Sequence, residues 1–215
     1  MRSVFIPSSK VIYFCNPKVA GSSIIQTLLR LERTIPPSVV EDHNLPESRR
    51  MISSLRDPKS FWECLTDTET FRFAFVRNPY ARILSCYRDK ICSGREPRFL
   101  AHIGIKDGRK PSFLEFLERI EQQPPREMNR HWMPQSLLIP DAIDLSMLGR
   151  FEYFDSHMKM LLERLGLELE DMQKVDSHGT KTGNVFRMTV EERGLINRIY
   201  ADDFRRFSYE KIYGV

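Results

Sequence analysis

Apolar positions recur along the chain with two different periods, and the two periods follow one another. Val11–Phe14 is an apolar run of the strand type, and Ile24, Ile25, Leu28 and Leu29 then recur every three or four positions, which is the period of a helix. This order predicts a strand, a turn and a helix near the start of the chain.

The same succession occurs twice more. Phe73–Val76 is a second apolar run and precedes a helical pattern over Ala81–Cys92, while a third strand candidate lies within Asp144–Phe151, before a helix that starts near Ser156. Strands that alternate with helices are typical of an α/β domain with a central parallel sheet flanked by helices. We therefore predict one such domain over residues 1–215.

Short local signals indicate where further helices start and where loops lie. Ser112–Glu115 and Thr189–Glu192 have the spacing of capping boxes, which predicts a helix start at each. Segment 33–67 mixes prolines with polar residues and predicts loop with short helices, and segment 175–184 predicts a polar loop. Segment 93–110 contains three glycines, and we predict that it is a mobile loop.

Composition narrows the class of ligand. The 215 residues include 33 Lys and Arg and 29 Asp and Glu, and the resulting net charge of +4 is only mildly basic. This balance suits a small anionic ligand better than nucleic acid, which usually brings a denser basic stripe. We therefore expect no nucleic-acid partner.

The apolar stretches are short. None approaches the roughly 20 apolar residues that are needed to cross a bilayer, and no long apolar core of a secretory signal follows Arg2. We therefore expect no transmembrane segment and a cytoplasmic location.

The four cysteines carry no recognisable site. Cys15, Cys64, Cys86 and Cys92 show neither CxxC pairing nor a metal-ligand spacing with the histidines. This favours free thiols in a reducing compartment, although the sequence leaves a disulfide between any two of them open.

The turn after the first predicted strand carries the clearest chemical signal. It contains Pro17–Ser23, in which Lys18 precedes Gly21. A helix that starts at such a turn leaves backbone N–H groups without intrahelical partners, and these donors attract anions together with the helix dipole. The Gly-x4-Gly-Lys-Ser/Thr sequence of nucleoside triphosphatases is absent, so we predict a phosphate-like ligand bound without metal. Strand–turn–helix units of this kind also occur in α/β proteins that bind nothing there.

A second candidate anion element follows the second predicted strand. Arg77 lies where that strand ends, Pro79 forces a turn, and Ser85 lies on the next helix. A guanidinium and a hydroxyl can bind a phosphate, and α/β proteins bind ligands at the carboxyl ends of their strands. Taken alone, this segment slightly favours an Arg77 that pairs with a carboxylate. Two such elements on neighbouring strands indicate a ligand with two separated anionic groups.

Several segments resemble one enzyme family. Pro17–Ser23 is similar to the 5′-phosphosulfate loop of sulfotransferases, and Val76–Lys90 is similar to their 3′-phosphate segment. His131–Gln135 followed by Leu148–Glu152, and the ending Tyr200–Tyr209, resemble the carbohydrate sulfotransferases of the chondroitin, dermatan and HNK type. The resemblance runs in order through nearly the whole chain.

This resemblance implies a P-loop-like three-layer α/β fold and the donor 3′-phosphoadenosine 5′-phosphosulfate, used without metal. It also implies transfer of the sulfuryl group to a hydroxyl of a carbohydrate or glycosylated acceptor. By position, Lys18 would stabilise charge on the leaving phosphate, while Arg77 and Ser85 would hold the 3′-phosphate. The donor-binding residues implied in this way are Pro17, Lys18, Val19, Ala20, Gly21, Ser22, Ser23, Arg77, Ser85 and Lys181.

The acceptor side rests on fewer residues. An acceptor hydroxyl needs a base within hydrogen-bond reach of its proton, and the family context favours His43, with Glu41 as the alternative. Trp132, next to His131, could stack on a sugar face, or the pair could brace the core beside the donor.

The resemblance leaves other functions open. The chain is short beside the larger members of this family, whose membrane anchor and stem we do not expect here, so we expect a soluble enzyme of the bacterial type. One alternative is a binding module that keeps the nucleotide site without catalysis. A second alternative is a small-molecule kinase of the P-loop type, which the missing Gly-Lys-Ser/Thr disfavours.

Overall fold

The computed structural model describes residues 3–31, 58–94, 96–139, 141–167 and 188–214. The chain divides into two compact units. The first unit consists of Met1–Val76 and Asp141–Asp176, and the second consists of Arg77–Pro140 and Ser177–Val215.

A four-stranded sheet runs through the described part of the first unit. Its strands are β1 Ser3–Ile6, β2 Val11–Phe14, β3 Phe71–Val76 and β4 Met147–Arg150, and they are neighbours in that order. β1 is antiparallel to β2, whereas β2, β3 and β4 are parallel. The predicted α/β class with a central parallel sheet is therefore confirmed, except that the edge strand β1 is antiparallel. The sequence pattern does not predict β1, a short strand joined to β2 by a single 3₁₀ turn at Pro7–Ser9.

The described residues also form nine α-helices. They are α1 Gly21–Leu29, α2 Pro58–Thr66, α3 Pro79–Cys86, α4 Arg98–His102, α5 Phe113–Glu121, α6 Gln135–Leu138, α7 Phe154–Leu165, α8 Val190–Ile199 and α9 Ala201–Arg206. Helices α1, α2 and α7 belong to the first unit, and the others belong to the second.

Helices cover both faces of the sheet in the first unit. Tyr13 and Phe73 are paired across β2 and β3, their rings stack at 5.0 Å between centroids, and α1 and α7 pack on this face, where Leu28 of α1 is fully buried. On the opposite face the rings of Phe5 and Phe61 of α2 meet edge to face at 5.9 Å. This double cover explains why all four residues of β2 are buried and why the strand reads as a continuous apolar run.

One glycine is required by packing within the sheet. Gly149 of β4 is paired with Phe75 of β3, and a Cβ atom at position 149 would lie 2.5 Å from the Phe75 ring. The ring therefore occupies the space that any larger residue would need.

Helices make up the second unit in its described part, and Trp132 lies in its core. The indole is fully buried in a cluster that includes side chains of α3, α5 and α8, and α8 packs against both α3 and α5. The helix predicted over 81–92 is present, but it begins at Pro79 as α3 and its last turn, Tyr87–Cys92, is wound as a π-helix.

The predicted mobile loop over 93–110 is wrong in its middle part. Helix α4 lies there, and Phe99, Leu100, Ile103 and Ile105 are all buried. Phe99 packs against Trp132 at 6.1 Å between ring centroids. These apolar contacts, which the glycine content of the segment obscures, attach it to the core of the second unit.

Local capping signals predict the helix starts well. Thr189 and Glu192 form the reciprocal capping box at the start of α8. At the start of α5, the Ser112 hydroxyl accepts the N–H of Glu115 at 3.1 Å, whereas the Glu115 carboxylate turns to Arg109 and Arg119 instead of back to Ser112. The third predicted strand is confirmed as β4, and the helix expected near Ser156 is confirmed as α7.

The four cysteines all lie in described ranges and form no disulfide with one another. None of the helices in the described ranges combines the length and the apolar character that crossing a membrane requires. Segment 175–184 and residues 33–57 of the other predicted loop lie outside the described residues.

Candidate functional site

The turn that follows β2 is anchored to the sheet of the first unit. Asn16, the second residue after the strand, is almost fully buried, and its side-chain amide donates to the backbone carbonyl of Phe75 in β3 at 3.1 Å. Because a side chain joins the turn to a neighbouring strand, the position of the turn is fixed relative to the carboxyl edge of the sheet. Asn16 was not among the predicted site residues, because its only sequence signal is a polar residue directly after a buried strand.

The backbone of this turn is wound in an unusual way. Lys18 and Ala20 have φ angles of 71° and 59°, in the left-handed region that residues other than glycine seldom adopt. Between them Val19 is fully buried and fastens the turn to the core. Strained backbone of this kind persists only where the surroundings hold it, and it is concentrated at ligand sites.

The turn leads directly into α1, whose first backbone N–H groups have no intrahelical partners. Ala20 is the N-cap residue, and no side chain in the described ranges caps this helix end. The first intrahelical bond runs from the N–H of Ile24 to the carbonyl of Ala20 at 3.2 Å. The N–H groups of Gly21, Ser22 and Ser23 are therefore at the positive end of the helix dipole, which suits an anion.

The side chains of the turn differ in exposure. Ser22 is exposed, Ser23 is buried, and Lys18 is partly buried. A Cβ atom at Gly21 would meet the Tyr13 hydroxyl at 3.6 Å and the Asn16 carbonyl at 3.7 Å, which are ordinary contact distances. Packing among the described residues does not require a glycine here, whereas the close approach of a ligand to the backbone would.

The second predicted element lies in the second unit. Arg77 directly follows β3 in the chain and is 5% exposed. Asn78 caps α3, since its side-chain oxygen accepts the N–H of Tyr80 at 3.0 Å, and Pro79 occupies the first helical position. Ser85 lies nearly two turns further along α3 and is partly buried.

The main chain of Arg77 is held by a side chain. The Arg77 N–H donates to Oε1 of Gln135 at 2.9 Å, and Nε2 of Gln135 donates to the Arg77 carbonyl at 2.8 Å. Gln135 is held in turn by Asp203, whose carboxylate accepts the backbone N–H groups of Gln135 and Ser136, each at 2.8 Å. Gln135 and Asp203 were not among the predicted site residues, although both lie in segments that resemble the family.

Trp132 lies in the core and does not face a ligand. Its ring is fully buried against Phe99, His102 and Phe116, and its indole N–H donates to the side chain of Gln123 at 3.0 Å. A ring covered in this way cannot stack on a sugar, so the structure favours the alternative in which Trp132 braces the core.

His131 is the more accessible member of the pair. Its ring is partly buried, its Nδ1 atom lies 2.8 Å from the Asn129 side-chain oxygen, and the ring meets Phe99 edge to face. Contact between His131 and a substrate stays a prediction.

The predicted residues therefore fall into three groups. Pro17–Ser23 come together in one turn of the first unit, and Arg77 and Ser85 lie in one segment of the second unit. The predicted base His43, its alternative Glu41, and Lys181 lie outside the described residues. Across the described ranges, no three His, Cys, Asp or Glu side chains are grouped so that they could hold a metal ion, and metal-free chemistry stays a prediction.

Comparison with known proteins identifies the relatives of the chain. It is 36% identical to carbohydrate sulfotransferase 14 of Danio rerio over 160 residues, which cover 65% of this chain and 44% of that protein. It is 36% identical to carbohydrate sulfotransferase 14 of Mus musculus over 179 residues (76% and 46%), and 25% identical to carbohydrate sulfotransferase 9 of Homo sapiens over 234 residues (96% and 53%). The chain thus spans about half the length of these relatives.

No solved structure matches the chain. The sequence model of the sulfotransferase family, in contrast, matches residues 2–210, which is nearly the whole length. That match includes both candidate anion elements and the segments that carry Gln135 and Asp203. The chain therefore belongs to the sulfotransferase family.

Proposed function

We propose that this protein transfers a sulfuryl group from 3′-phosphoadenosine 5′-phosphosulfate to a hydroxyl group of a carbohydrate or glycosylated acceptor. The observation that carries the proposal is the turn before α1, where left-handed backbone, an uncapped helix end and Lys18 come together. Family membership supports the choice of donor, because sulfotransferases in general use this nucleotide. The relatives named as carbohydrate sulfotransferases support the choice of acceptor.

The residues of the turn fit one end of the donor. The N–H groups of Gly21, Ser22 and Ser23 at this helix start match the needs of a 5′-phosphate, and within the described residues no side chain caps this helix end. The hydroxyl groups of Ser22 and Ser23 can donate further hydrogen bonds to phosphate oxygens. When bound, the nucleotide supplies the sulfuryl group that is transferred.

Lys18 is the residue to which we assign transition-state stabilisation. Its ammonium group brings a full positive charge to the turn, beside the positive end of the α1 dipole. Negative charge develops on the leaving oxygen during group transfer, and fixed donors together with a cation at that place lower the barrier. The strained backbone at Lys18 holds the start of its side chain in one direction, which reduces reorganisation during the reaction.

Arg77 and Ser85 are assigned to the 3′-phosphate. A guanidinium can bind two phosphate oxygens at once, and its nearly complete burial strengthens such a bond by excluding water. Lys181, outside the described residues, is proposed to close over the nucleotide. His43, with Glu41 as the alternative, is proposed to take the proton of the acceptor hydroxyl.

Isothermal titration calorimetry tests the choice of nucleotide. Adenosine 3′,5′-bisphosphate, the product of the donor, is expected to bind in buffer that contains a chelator and no magnesium. ATP with magnesium is expected to bind weakly or not at all. Tighter binding of ATP with magnesium would support a kinase and contradict the sulfotransferase proposal.

Transfer itself requires a second experiment. The protein is incubated with donor labelled in the sulfuryl group and with a panel of glycans, and labelled products are separated. Transfer to at least one glycan is expected. Binding of the bisphosphate without transfer to any glycan or other hydroxyl compound would instead support the non-catalytic binding module.

A further inference from the structure

Arg77 is held at a point where the regular hydrogen bonding of the sheet has ended. β3 stops at Val76, so the peptide groups on either side of the Arg77 Cα atom need partners from elsewhere. The Gln135 side chain provides both, because it accepts from the Arg77 N–H at 2.9 Å and donates to the Arg77 carbonyl at 2.8 Å. Its carboxamide thus takes the place that a residue of a neighbouring strand would take.

The Gln135 side chain is itself fixed by a buried carboxylate. Gln135 and Asp203 are both 0% exposed. The Asp203 carboxylate accepts the backbone N–H groups of Gln135 and Ser136 at the start of α6, and one of its oxygens also lies 3.3 Å from Nε2 of Gln135. A buried charge is stable only when its hydrogen bonds are satisfied, and these three donors meet that need.

The surroundings of this pair are rigid as well. Arg206, at the end of α9, donates to the carbonyls of Ser136 and Ile139 at 2.8 and 2.6 Å, so the far side of α6 is tied to the helix that carries Asp203. Arg82, which is 1% exposed, donates to the carbonyl of Met133 at 2.9 Å and so holds the chain just before α6 begins at Gln135. Gln135 therefore has little freedom to move away from Arg77.

We propose that Gln135 and Asp203 form a positioning pair that sets the direction of the Arg77 side chain and thereby the recognition of a nucleotide 3′-phosphate. The two hydrogen bonds flank the Arg77 Cα atom on both sides, so they define the two backbone angles from which its side chain starts. A guanidinium binds phosphate well only in a narrow range of orientations, and a supporting shell that locks the side chain provides this precision. The inference rests on the proposed function, since it takes the 3′-phosphate as the group that Arg77 binds.

A comparison of two nucleotides isolates this effect. Adenosine 3′,5′-bisphosphate and adenosine 5′-monophosphate differ only in the 3′-phosphate, so the ratio of their affinities measures how well that group is recognised. In Gln135→Met, which keeps the length of the side chain and removes both hydrogen-bonding groups, this ratio is expected to fall by about tenfold or more. The affinity for the monophosphate is expected to stay within about twofold of the original.

A matched control separates positioning from a general loss of stability. Asn197 is another buried amide of the second unit; it accepts from the Tyr80 hydroxyl and donates to the Ile212 carbonyl at 3.1 Å. Asn197→Ala is expected to lower the melting temperature and to leave the affinity ratio unchanged. If Gln135→Met does not fold, Asp203→Asn replaces it, because asparagine keeps the shape and one acceptor and is expected to lower the ratio in the same direction.

A double substitution completes the test. Once Arg77 is replaced by alanine, Gln135→Met is expected to cause no further change in the ratio, because the group that it positions is gone. An unchanged ratio in Gln135→Met, or an equal additional loss in the Arg77→Ala background, would overturn the positioning role. A wild-type protein that binds the two nucleotides equally would contradict the proposed function instead, so the two failures are distinguishable.

Discussion

Lys18 and Arg77 are cations in different settings, and this difference predicts different kinetic effects. Lys18 is partly buried on strained backbone next to an open helix end, whereas Arg77 is almost fully buried and held through its main chain. Lys18→Ala is expected to lower kcat by about 10²-fold or more, because it removes charge stabilisation in the transition state, and to change bisphosphate affinity little. Arg77→Ala is expected to lower bisphosphate affinity by about tenfold or more.

Steady-state kinetics with labelled donor and calorimetry with the bisphosphate measure the two effects separately. Arg77→Lys serves as the control that keeps the charge and loses the bidentate geometry. Similar and mild effects of Lys18→Ala and Arg77→Ala on both quantities would count against the assigned roles.

Gly149 allows a prediction about packing at a single position. Gly149→Ala is expected to lower the free energy of unfolding by about 1–3 kcal/mol, because its Cβ atom would lie 2.5 Å from the Phe75 ring. Urea unfolding followed by circular dichroism measures this change. Gly194→Ala in α8 is the control: its Cβ atom would meet only Arg198 at 3.7 Å, and helix propensity predicts stabilisation by up to about 1 kcal/mol. Equal free energies of unfolding for Gly149→Ala and the original protein would contradict this prediction, because they would show that the Phe75 ring can move aside without loss of stability.

Whether a site residue could be predicted depended on how far along the chain its partners lie. The turn at Pro17–Ser23 is a local motif, and its residues were predicted from their order alone. Asn16 contacts the carbonyl of a residue 59 positions further along the chain, and Gln135 contacts Arg77, which lies 58 positions before it. Neither role can therefore be inferred from the residues next to it in the sequence. The burial of Trp132 has the same cause, because the rings that cover it come from two other helices, α4 and α5.

At the scale of elements, ion pairs stabilise the start of α5, and their contribution to stability therefore depends on pH. Arg109 binds the Glu115 carboxylate with two nitrogens at 2.7 and 2.5 Å, and Arg119 binds it at 2.9 Å. These hydrogen bonds, that of Arg109 first, lower the pKa of Glu115 from 4.5 to about 2. Because the pKa is lower in the folded protein, the carboxylate stabilises the fold above pH 4.5, and this contribution is lost as the pH falls through about 2.

The prediction is measured as the difference in melting temperature between the original protein and Glu115→Gln. This difference is expected to be constant above the ordinary pKa of a glutamate and to shrink as the solution is acidified below it. Arg109→Gln should weaken the same pH dependence, since Arg109 makes the largest contribution. A difference that stays constant down to pH 2 would show that the ion pairs do not stabilise the folded state.

Elements with strong local signals were predicted, and those that depend on distant packing were not. The starts of α5 and α8 follow from their capping residues, and β2 and β3 follow from apolar runs buried on both faces. Helix α4 was missed because its five residues lie among glycines and become helical as Phe99 and Leu100 are buried. The π-helical turn after α3 has no counterpart in hydrophobic periodicity, since it changes the winding and not the order of residues.

For the whole molecule, ligand binding and stability are linked. A nucleotide that binds the folded protein alone stabilises it by about 2.7 kcal/mol at a concentration 100 times its Kd. For a chain of 215 residues this corresponds to a rise in melting temperature of about 5–10 °C. Adenosine 3′,5′-bisphosphate without magnesium is expected to cause this rise in differential scanning calorimetry, and adenosine itself serves as the control without phosphate. No rise at that concentration would contradict specific binding to the folded state.

The fold class and the family could be predicted from the sequence, but the division into two units could not. Alternating strands and helices indicate a parallel sheet. The two motifs that resemble phosphate-binding segments, Pro17–Ser23 and Val76–Lys90, indicate the family. The division arises because the chain leaves the sheet after Val76 and returns to it at β4, and because Arg77–Pro140 shares a helical core with α8 and α9 from the end of the chain. Such a return depends on the three-dimensional path and leaves no compositional trace.

The left-handed residues before α1 have a consequence for the engineering and evolution of this protein. Lys18 and Ala20 adopt left-handed backbone conformations that glycine would adopt without strain. Each such conformation costs a residue other than glycine about 1 kcal/mol or more. Selection for thermal robustness alone would therefore favour glycine at Ala20 and a looser turn. The present sequence keeps the strain, so attempts to make the protein more stable should leave this turn unaltered and change other parts of the chain.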